Sequence, residues 1–427
     1  MISINIILGG YLILYLLASL ADLGIGLLNM HYLRKFGQEV PEILAADLKK
    51  EHLSKSSAYS IDNNRFATVR AVVGKILFLS IILSGLLPWF AESLKGLGVV
   101  ASGLIFFGAL SLIMAVIEIP FDYYRIFVIE ENHGFNTRTL KTWFLDLIKG
   151  GVIGLILGGL FLSGILCVAL YGGRAWWFLA WTVYLFFQMM VTILYPSVIA
   201  PLFNTFSTIE DVDLREKIEH LAKKEGIPLS GIYQIDASRR SRHTNACFCG
   251  LGKAKRIVLF DSLLESHGAD EIMAVLSHEI GHMKKHHLWK QLALTGMTSC
   301  LLLFLASKIM AWEGLYQSFG FSGMPLYAGL FLVGILWEPV SFFVSPMAMF
   351  VSRRFERQAD AYAREILGTP TPLIQALKRL ARENLSNLFP HPLHVLFKAS
   401  HPPSIQRIRD LETGLASSDN RIKMRVI

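Results

Sequence analysis

The residues whose types and spacing could carry chemistry lie at 278–282, in the segment HEIGH, which reads H-E-x-x-H. Residues four apart lie on one face of an α-helix about one turn apart, so His278 and His282 can converge on one Zn²⁺ ion. Glu279 can then act as a general base toward a zinc-bound water, whose pKa the metal lowers toward neutrality. Because the chain has 13 histidines, the motif alone is a hypothesis that its surroundings must decide.

A catalytic zinc site needs a third protein ligand and one open position. His286 lies on the same predicted helical face, but its place eight residues after His278 puts it about 12 Å along the helix axis, which excludes it. The segment 351–365 (VSRRFERQADAYARE) predicts a helix with Glu356 and Asp360 on one face. One carboxylate could complete the metal shell and the other could accept the second N–H of a ligating imidazole. The alternative is an ordinary solvated helix with i,i+4 charges.

The composition predicts that these residues belong to a polytopic membrane protein. Hydrophobic residues make up 53% of the 427 residues, charged residues 17%, and the mean hydropathy is +0.46. This profile is typical of chains that cross a bilayer several times. The formal net charge of +8 is therefore interpreted through loop topology and not as a sign of nucleic-acid binding. The four cysteines predict no disulfide framework, and Cys247 and Cys249 are interpreted as small strand residues.

Seven apolar stretches are near or above the ~20 residues needed to span a bilayer; they cover 4–30, 74–91, 97–121, 150–171, 175–201, 291–312 and 325–351. The first lacks the basic n-region of a cleaved signal peptide and is predicted as a retained membrane helix. Lys and Arg concentrate in the connections on one side, whereas the other side has only Lys95 and Arg174. This asymmetry predicts an N-terminus outside and the HEIGH segment in the cytosol.

Several acidic residues fall inside or at the ends of the apolar stretches, namely Asp22, Glu118, Asp122 and Glu338. A charge that faces lipid is costly, so these side chains are expected to face a polar interior. Paired contacts between helices and a water-filled cavity are both open interpretations. In the connection before the fourth span, Glu130 and Glu131 are predicted as surface charges.

The largest polar segment, 202–290, predicts a small α+β unit. The pattern indicates a helix at 211–225, a strand at 232–236 and a hairpin formed by 244–250 and 256–260, followed by a helix from about Ala269 that carries the motif. In zinc proteases an edge strand beside the metal can pair with an extended substrate. We therefore expect four parts: a membrane domain 1–201, a catalytic domain 202–290, two further spans in 291–351 and a cytosolic segment 352–427.

Six motifs occur together in this chain: HEIGH, SRRFERQADAYA, IAPLFN, FVIEENHGFN, HTNACFCG and SHPPSIQR. With them the sequence resembles, over nearly its whole length, the integral-membrane zinc metalloproteases of the CAAX prenyl protease 1 family. The resemblance implies an α-helical polytopic membrane protein with seven transmembrane helices around an intramembrane chamber. It also implies a small α+β zincin-type metalloprotease domain on the cytosolic side.

The resemblance further implies the roles of individual residues. His278, His282 and Glu356 would bind one Zn²⁺ per chain, with Glu279 as the general base and Asp360 as support for the site. The edge strand and the C-terminal segment would contact the substrate or the tetrahedral intermediate, and the residues assigned to this are Asn245, Ala246, His401 and Arg407. The sequence departs from many relatives in having Cys247 and Cys249 where they carry aromatic residues, which bears on the substrate side-chain pockets.

The expected function is hydrolysis of peptide bonds in a peptide or protein substrate, either prenylated or merely hydrophobic, within a lipid bilayer and without nucleic acid. A membrane-protein quality-control protease without prenyl specificity is one alternative, and a non-enzymatic transporter or channel is another. An inactive scaffold is disfavoured by the intact Glu279. The lack of a long insertion between the fifth and sixth spans, and of a C-terminal dilysine, favours a bacterial cytoplasmic membrane over the endoplasmic reticulum.

Overall fold

Long helices dominate the computed structural model, which describes residues 5–44, 50–250 and 255–414. The helices up to the start of the sheet are α1 Ile6–Phe36, α2 Lys50–Leu83, α3 Leu86–Ser93, α4 Val99–Tyr124, α5 Leu140–Tyr171, α6 Trp176–Leu194 and α7 Ala200–Phe203. Those in the rest of the chain are α8 Val212–Lys224, α9 Asp261–Ser266, α10 Ala269–Lys284, α11 His287–Ile309, α12 Glu313–Ser318, α13 Leu326–Leu367, α14 Thr371–Glu383, α15 Pro392–Lys398 and α16 Ser404–Glu412.

Within the described ranges, seven helical stretches are long and apolar enough to cross a membrane. They contain α1, α2, α4, α5, α6, α11 and α13, and short π-helical segments extend α4 and α6. The prediction of seven spans is therefore confirmed. Large apolar side chains remain exposed along these helices, as at Leu112, Leu155 and Phe186, because lipid takes the place of a protein neighbour there.

The second span differs from its predicted bounds. The prediction of one apolar helix at 74–91 is wrong, since α2 ends at Leu83 and the separate helix α3 follows. Gly85 has a left-handed backbone with φ +79°, a conformation that glycine adopts without steric cost. Pro88 lies in the first turn of α3, where a missing N–H costs no helical hydrogen bond. The 34-residue α2 is about 50 Å long, so it extends well beyond the bilayer core.

Three of the four acidic residues at the spans make ion pairs. Glu118 Oε2 lies 2.8 Å from Arg70 Nε, and Asp122 Oδ1 lies 3.4 Å from Arg125 Nη2. Asp22 Oδ1 lies 2.5 Å from Lys398 Nζ. Glu118 and Asp22 are thus paired between helices, whereas Asp122 pairs within its own helical stretch and accepts the Trp143 indole N–H of α5 at 2.8 Å. The fourth residue, Glu338, has an exposed side chain.

The non-membrane part contains a four-stranded sheet formed by β1 Phe206–Thr208, β2 Gly231–Ile235, β3 Ala246–Cys249 and β4 Arg256–Phe260, in the order β1-β2-β4-β3. The β2–β4 pair is parallel, and the hairpin β3–β4 is antiparallel with Ala246 opposite Leu259. The predicted strands, the hairpin and the helices at 211–225 and from Ala269 are confirmed within one or two residues. One face of the sheet packs on α10 through a core that includes Leu259, Ile272 and Leu276.

Candidate active site

The helix α10 is built to present its polar residues on one side. Its start is capped by the Glu271 carboxylate, which accepts the Gly268 N–H at 2.8 Å, and negative charge in the first turn interacts favourably with the helix dipole. Ile272 and Leu276 are buried at a spacing of four against the sheet. The HEIGH residues that follow can therefore turn their functional groups away from the sheet and toward α13.

Gly281 allows α10 and α13 to cross at very short distance. A Cβ placed on Gly281 would lie 2.9 Å from both Cα and O of Ala359, closer than real Cβ contacts allow. The glycine between the two motif histidines therefore lets the backbones meet. This close approach brings the face of α13 that carries Glu356 and Asp360 against the motif, so the second helix predicted from the sequence is a buried partner and not a solvated helix.

The three predicted metal ligands converge on one point. One ligand atom from each of His278, His282 and Glu356 can be chosen so that all lie within 4.8 Å of one another. The Nε2 atoms of the two imidazoles are 3.2 Å apart, and the Glu356 carboxylate oxygens lie 3.4 Å from His278 Nε2 and 3.3 Å from His282 Nε2. Two neutral imidazoles and a carboxylate form the ligand set of many catalytic zinc sites.

The environment of Glu356 fits a bound cation. Its side chain is 7% exposed, and its buried Oε2 makes no hydrogen bond within the described residues. A buried carboxylate oxygen without a donor is costly in a protein interior. A metal ion held between Glu356 and the two histidines would satisfy this oxygen.

Asp360 and Arg407 hold His278 from behind. Asp360 Oδ1 lies 2.8 Å from His278 Nδ1, so the carboxylate can accept that N–H and leave Nε2 free for a metal. Arg407 donates to both oxygens of Asp360, from Nη2 at 2.6 Å and from Nε at 2.8 Å. The C-terminal helix α16 is thereby tied to the predicted metal ligand His278. Arg407, which the resemblance assigned to contact with the substrate or the intermediate, bonds Asp360 and lies 3.3 Å from His278 Nδ1.

His282 has a supporting partner that the sequence did not indicate. His282 Nδ1 lies 3.0 Å from His287 Nδ1, and His287 Nε2 lies 2.9 Å from Gln358 Oε1. His287 is 3% exposed and stacks on Phe355, with ring centroids 4.3 Å apart. The only signal in the sequence was a further histidine five residues after His282. His287 fixes the orientation of His282 much as Asp360 fixes that of His278.

His286, which the sequence excluded as a ligand, lies beyond the end of α10. The helix stops at Lys284, and His286 has a left-handed backbone with φ 55°. The predicted continuation of one helical face as far as His286 is therefore wrong. The left-handed turn lets α11 start at His287 in a new direction, which is what brings His287 back to His282.

Glu279 and His401, two more of the predicted site residues, lie beside the predicted metal ligands. Burial raises the pKa of Glu279 above its ordinary range, and His278 and His282 partly oppose this shift. His401 Nε2 lies 3.3 Å from Glu356 Oε1, and its side chain is 62% exposed, so it can face a substrate. The segment before His401 is anchored to α13 by Arg353, whose Nη1 donates to the carbonyls of Val395 and Ala399 at 2.7 and 2.8 Å.

Comparison with known families decides what this site belongs to. The family described as "Peptidase family M48" matches residues 208–414, and "CAAX prenyl protease N-terminal, five membrane helices" matches residues 29–205. The chain belongs to peptidase family M48. This M48 member is accordingly a membrane-embedded metalloendopeptidase that resembles the CAAX prenyl proteases, and the hypothesis of a non-enzymatic transporter or channel is not supported.

Relatives of this M48 peptidase match along most of their length. It is 35% identical to a CAAX prenyl protease 1 homolog of Arabidopsis thaliana, over 87% of this chain and 90% of the relative. It is 33% identical to CAAX prenyl protease 1 of Saccharomyces cerevisiae, with 88% of each chain covered. The crystal structure of S. mikatae Ste24p superposes with a TM-score of 0.86 at 30% identity, over 94% of this chain and 98% of that one. The resemblance and the fold class predicted from the sequence are thus confirmed.

The edge strand of the M48 peptidase begins at the two residues predicted to contact substrate. Asn245 is exposed, and its Oδ1 accepts the backbone N–H of Ala246 at 2.8 Å. This bond uses the side-chain oxygen of Asn245, and the side-chain nitrogen Nδ2 takes no part in it. Ala246 is 5% exposed and packs into the core below the sheet, so only its backbone could meet a substrate. The Sγ atoms of Cys247 and Cys249 lie 3.3 Å apart on the opposite face.

A polar network behind this strand was missed in the sequence. The Asn384 carboxamide oxygen accepts the Thr244 N–H at 3.0 Å, and His243 Nδ1 lies 3.1 Å from the same oxygen. His243 Nε2 lies 3.2 Å from Glu130 Oε2, whose other oxygen accepts the Tyr59 hydroxyl at 2.8 Å. The prediction of Glu130 as a surface charge is therefore wrong, because its side chain is 19% exposed and fully engaged. Glu131 is exposed as predicted.

Proposed function

We propose that the metal of this M48 peptidase is Zn²⁺, held by His278, His282 and Glu356, and that Glu279 is its general base. The observation that carries this proposal is the convergence of the three ligand atoms within 4.8 Å on helices that cross at Gly281. When bound, zinc would act as a Lewis acid and lower the pKa of a coordinated water. The buried Glu356 oxygen without a hydrogen-bond partner supports a cation at this position.

The residues of the chain supply proton transfer and orientation. Glu279, adjacent to His278 in the motif, takes a proton from the attacking water and returns it to the leaving amine. Burial raises the pKa of Glu279, so its carboxyl group can hold the proton more readily between these two transfers. In this proposal Asn245 Nδ2 and the His401 imidazole would donate hydrogen bonds to a developing oxyanion, and the β3 edge would offer backbone groups to an extended peptide.

We propose further that the natural substrate is a prenylated or otherwise hydrophobic protein with its cleavage site near the C-terminus. The relatives carry the name CAAX prenyl protease 1, and cleavage of membrane proteins without prenyl specificity is the alternative. The distribution of Lys and Arg supports a site on the cytosolic side of the membrane. We propose a bacterial cytoplasmic membrane, the endoplasmic reticulum being the alternative. We also propose that the chain divides into four parts, with boundaries after residues 201, 290 and 351.

The variant Glu279→Gln tests the catalytic assignment. It keeps the size of the side chain and all three metal ligands, so we expect stoichiometric zinc by elemental analysis and a loss of peptide cleavage on the order of a thousandfold. Glu131→Gln is the matched control, since Glu131 is exposed and accepts the Asn136 Nδ2–H instead of contacting the proposed metal ligands, and it should retain activity. Full activity of Glu279→Gln would refute the assignment.

A matched pair of peptides tests the substrate class. A farnesylated peptide ending in a C-a-a-X sequence and the same peptide without the lipid are compared by kcat/KM. A preference for the farnesylated form of at least about tenfold, beyond the gain from one or two buried methylenes, supports prenyl specificity. Equal rates would favour the quality-control alternative while leaving the zinc mechanism intact.

A further inference from the structure

A basic cavity lies between the membrane domain and the sheet, apart from the metal ligands. It has a volume of about 500 Å³, within the range of pockets that hold whole small molecules. Its walls come from the first turns of α5, from α7 and the residues that follow it, and from β2 and β4. None of His278, His282 or Glu356 lines it, so its ligand is not the peptidase substrate at the scissile bond.

The lining carries an excess of positive charge. Its cations are Lys149, Arg239, Arg240 and Arg256, and its one carboxylate is Asp146. Arg240 donates to both oxygens of Asp146, at 2.8 and 2.9 Å, so this pair is neutral and holds the wall together. Three cations then remain to face the cavity. Asp236, which lies close by without lining it, has Oδ1 engaged by the Thr205 N–H at 2.7 Å.

The remaining cations are positioned by weak contacts that leave their charge available. Lys149 Nζ donates to the Leu202 carbonyl at 2.9 Å, and its side chain is exposed. The Arg256 guanidinium carbon lies 5.6 Å from the centre of the Tyr233 ring, and Arg239 is exposed. Guanidinium groups match phosphate oxygens in geometry as well as charge. An anion with phosphate oxygens therefore suits this site.

The cavity lining also includes apolar side chains from the membrane helices. Leu145 and Leu202 line the cavity and are 44% and 48% exposed. The lining residues of α5 lie near the start of the span Leu140–Tyr171, at the end that follows a connection rich in Lys and Arg, so we expect the cavity near the membrane boundary. A cavity with basic walls near the depth of the headgroups, and with exposed apolar side chains in its lining, has the polarity of a phospholipid. A free phosphate ion would make no use of these apolar side chains.

We infer that this cavity binds the headgroup of an anionic phospholipid of the cytosolic leaflet. The phosphate contacts Arg239 and Arg256 from the sheet side and Lys149 from the membrane side, while the acyl chains leave past Leu145 and Leu202. The bound lipid would hold the β2 and β4 strands against α5. This inference does not depend on the identity of the peptidase substrate.

The test uses the full-length protein in nanodiscs of phosphatidylcholine with a minor fraction of phosphatidylglycerol. After extraction into a neutral detergent, native mass spectrometry counts the lipids that remain bound. Wild type should retain phosphatidylglycerol in preference to phosphatidylcholine. The double variant Arg239→Gln with Arg256→Gln should retain about thirtyfold less, since each of the two cations near an anionic lipid contributes on the order of 1 kcal/mol. Equal retention would overturn the inference.

Matched variants and a soluble competitor complete the test. Lys217→Gln with Lys223→Gln removes two exposed cations from α8, outside the cavity, and should retain lipid as wild type does. If the double variant loses its zinc, the single variant Lys149→Gln, at an exposed side chain, replaces it in the test. This variant should also retain less phosphatidylglycerol than wild type. Release of the lipid by millimolar inorganic phosphate would show a site for soluble anions and would equally overturn the inference.

Discussion

At the scale of single residues, the site depends on a few contacts that set the direction of each ligand atom. Helical spacing alone predicted that His278 and His282 share one face and that Glu356 and Asp360 share another, and the family resemblance implied which carboxylate is the ligand. The sequence was not sufficient to predict His287, which reaches His282 only because the chain turns at His286, or Gln358 of α13, which bonds His287. A contact between two segments that a turn brings together gives no periodic pattern in the sequence, because the pattern does not specify the direction of the turn.

Asp360 is expected to control the metal affinity without binding the metal. Asp360→Asn removes the charge that accepts the His278 Nδ1 proton at 2.8 Å, and loss of such a partner weakens metal binding by about 10–100-fold. Chelator competition on the purified protein measures the effect. Asp213→Asn, at an exposed position on α8, is the control. An unchanged zinc affinity in Asp360→Asn would show that the carboxylate is not a functional part of the site.

At the scale of elements, the crossing of α10 and α13 determines whether the ligands can meet. Hydrophobic patterning predicts both helices, but a sequence pattern cannot give the distance between two helix axes. In this protein that distance depends on Gly281. The break at Gly85 was missed for a related reason, since the apolar character of 74–91 continues across it and only the backbone changes.

Gly281→Ala is expected to separate the two helices. The added methyl group meets the Ala359 backbone at 2.9 Å, and overpacking of this kind costs about 1–3 kcal/mol. We expect a weaker zinc affinity and a lower thermal midpoint. Gly154→Ala in α5, where nothing lies within 4 Å, controls for the change of glycine to alanine in a helix. If both variants bind zinc equally, the close crossing is not what assembles the site.

The edge strand is expected to depend on Asn384, more than a hundred residues away in the chain. Asn384→Ala leaves the buried Thr244 N–H without its acceptor, at a cost of about 1–3 kcal/mol. Because we propose that the strand binds substrate and not metal, we expect KM to rise about tenfold with zinc content unchanged. Asn387→Ala, in the same turn but bonded only to Phe389 N, is the comparison. A loss of zinc in Asn384→Ala would instead indicate a general structural role.

At the scale of the whole molecule, the proposed metal ligands come from the helix α10 that packs on the sheet and from α13, which also carries the seventh span. The 42-residue α13 carries the seventh span at one end and Glu356 at the other. One uninterrupted helix therefore connects the membrane span to the proposed active site. Composition predicted the number of spans well, because each span must be apolar over its length. It did not show that α11 and α13 continue through the proposed boundaries at 290 and 351 without interruption.

Removal of the metal is expected to lower the stability of the whole protein. Zinc that binds only the folded chain stabilises it by about 2.7 kcal/mol at a hundred times its dissociation constant. Treatment with a chelator should therefore lower the thermal midpoint in detergent, and added zinc should restore it. The Glu279→Gln variant should behave in the same way, because its ligands are intact. An identical midpoint with and without metal would mean that the two helices are held together by packing alone.

The position of Glu356 beyond the last span has a consequence for biosynthesis. During translation the two histidines emerge first, and the glutamate follows only after the sixth and seventh helices have been synthesised and inserted. A chain with the seventh helix in the wrong orientation would have Glu356 on the far side of the bilayer and would keep only two of the three proposed metal ligands together. Loading of the metal thus reports that membrane insertion is complete, and a mis-inserted copy remains without proteolytic activity.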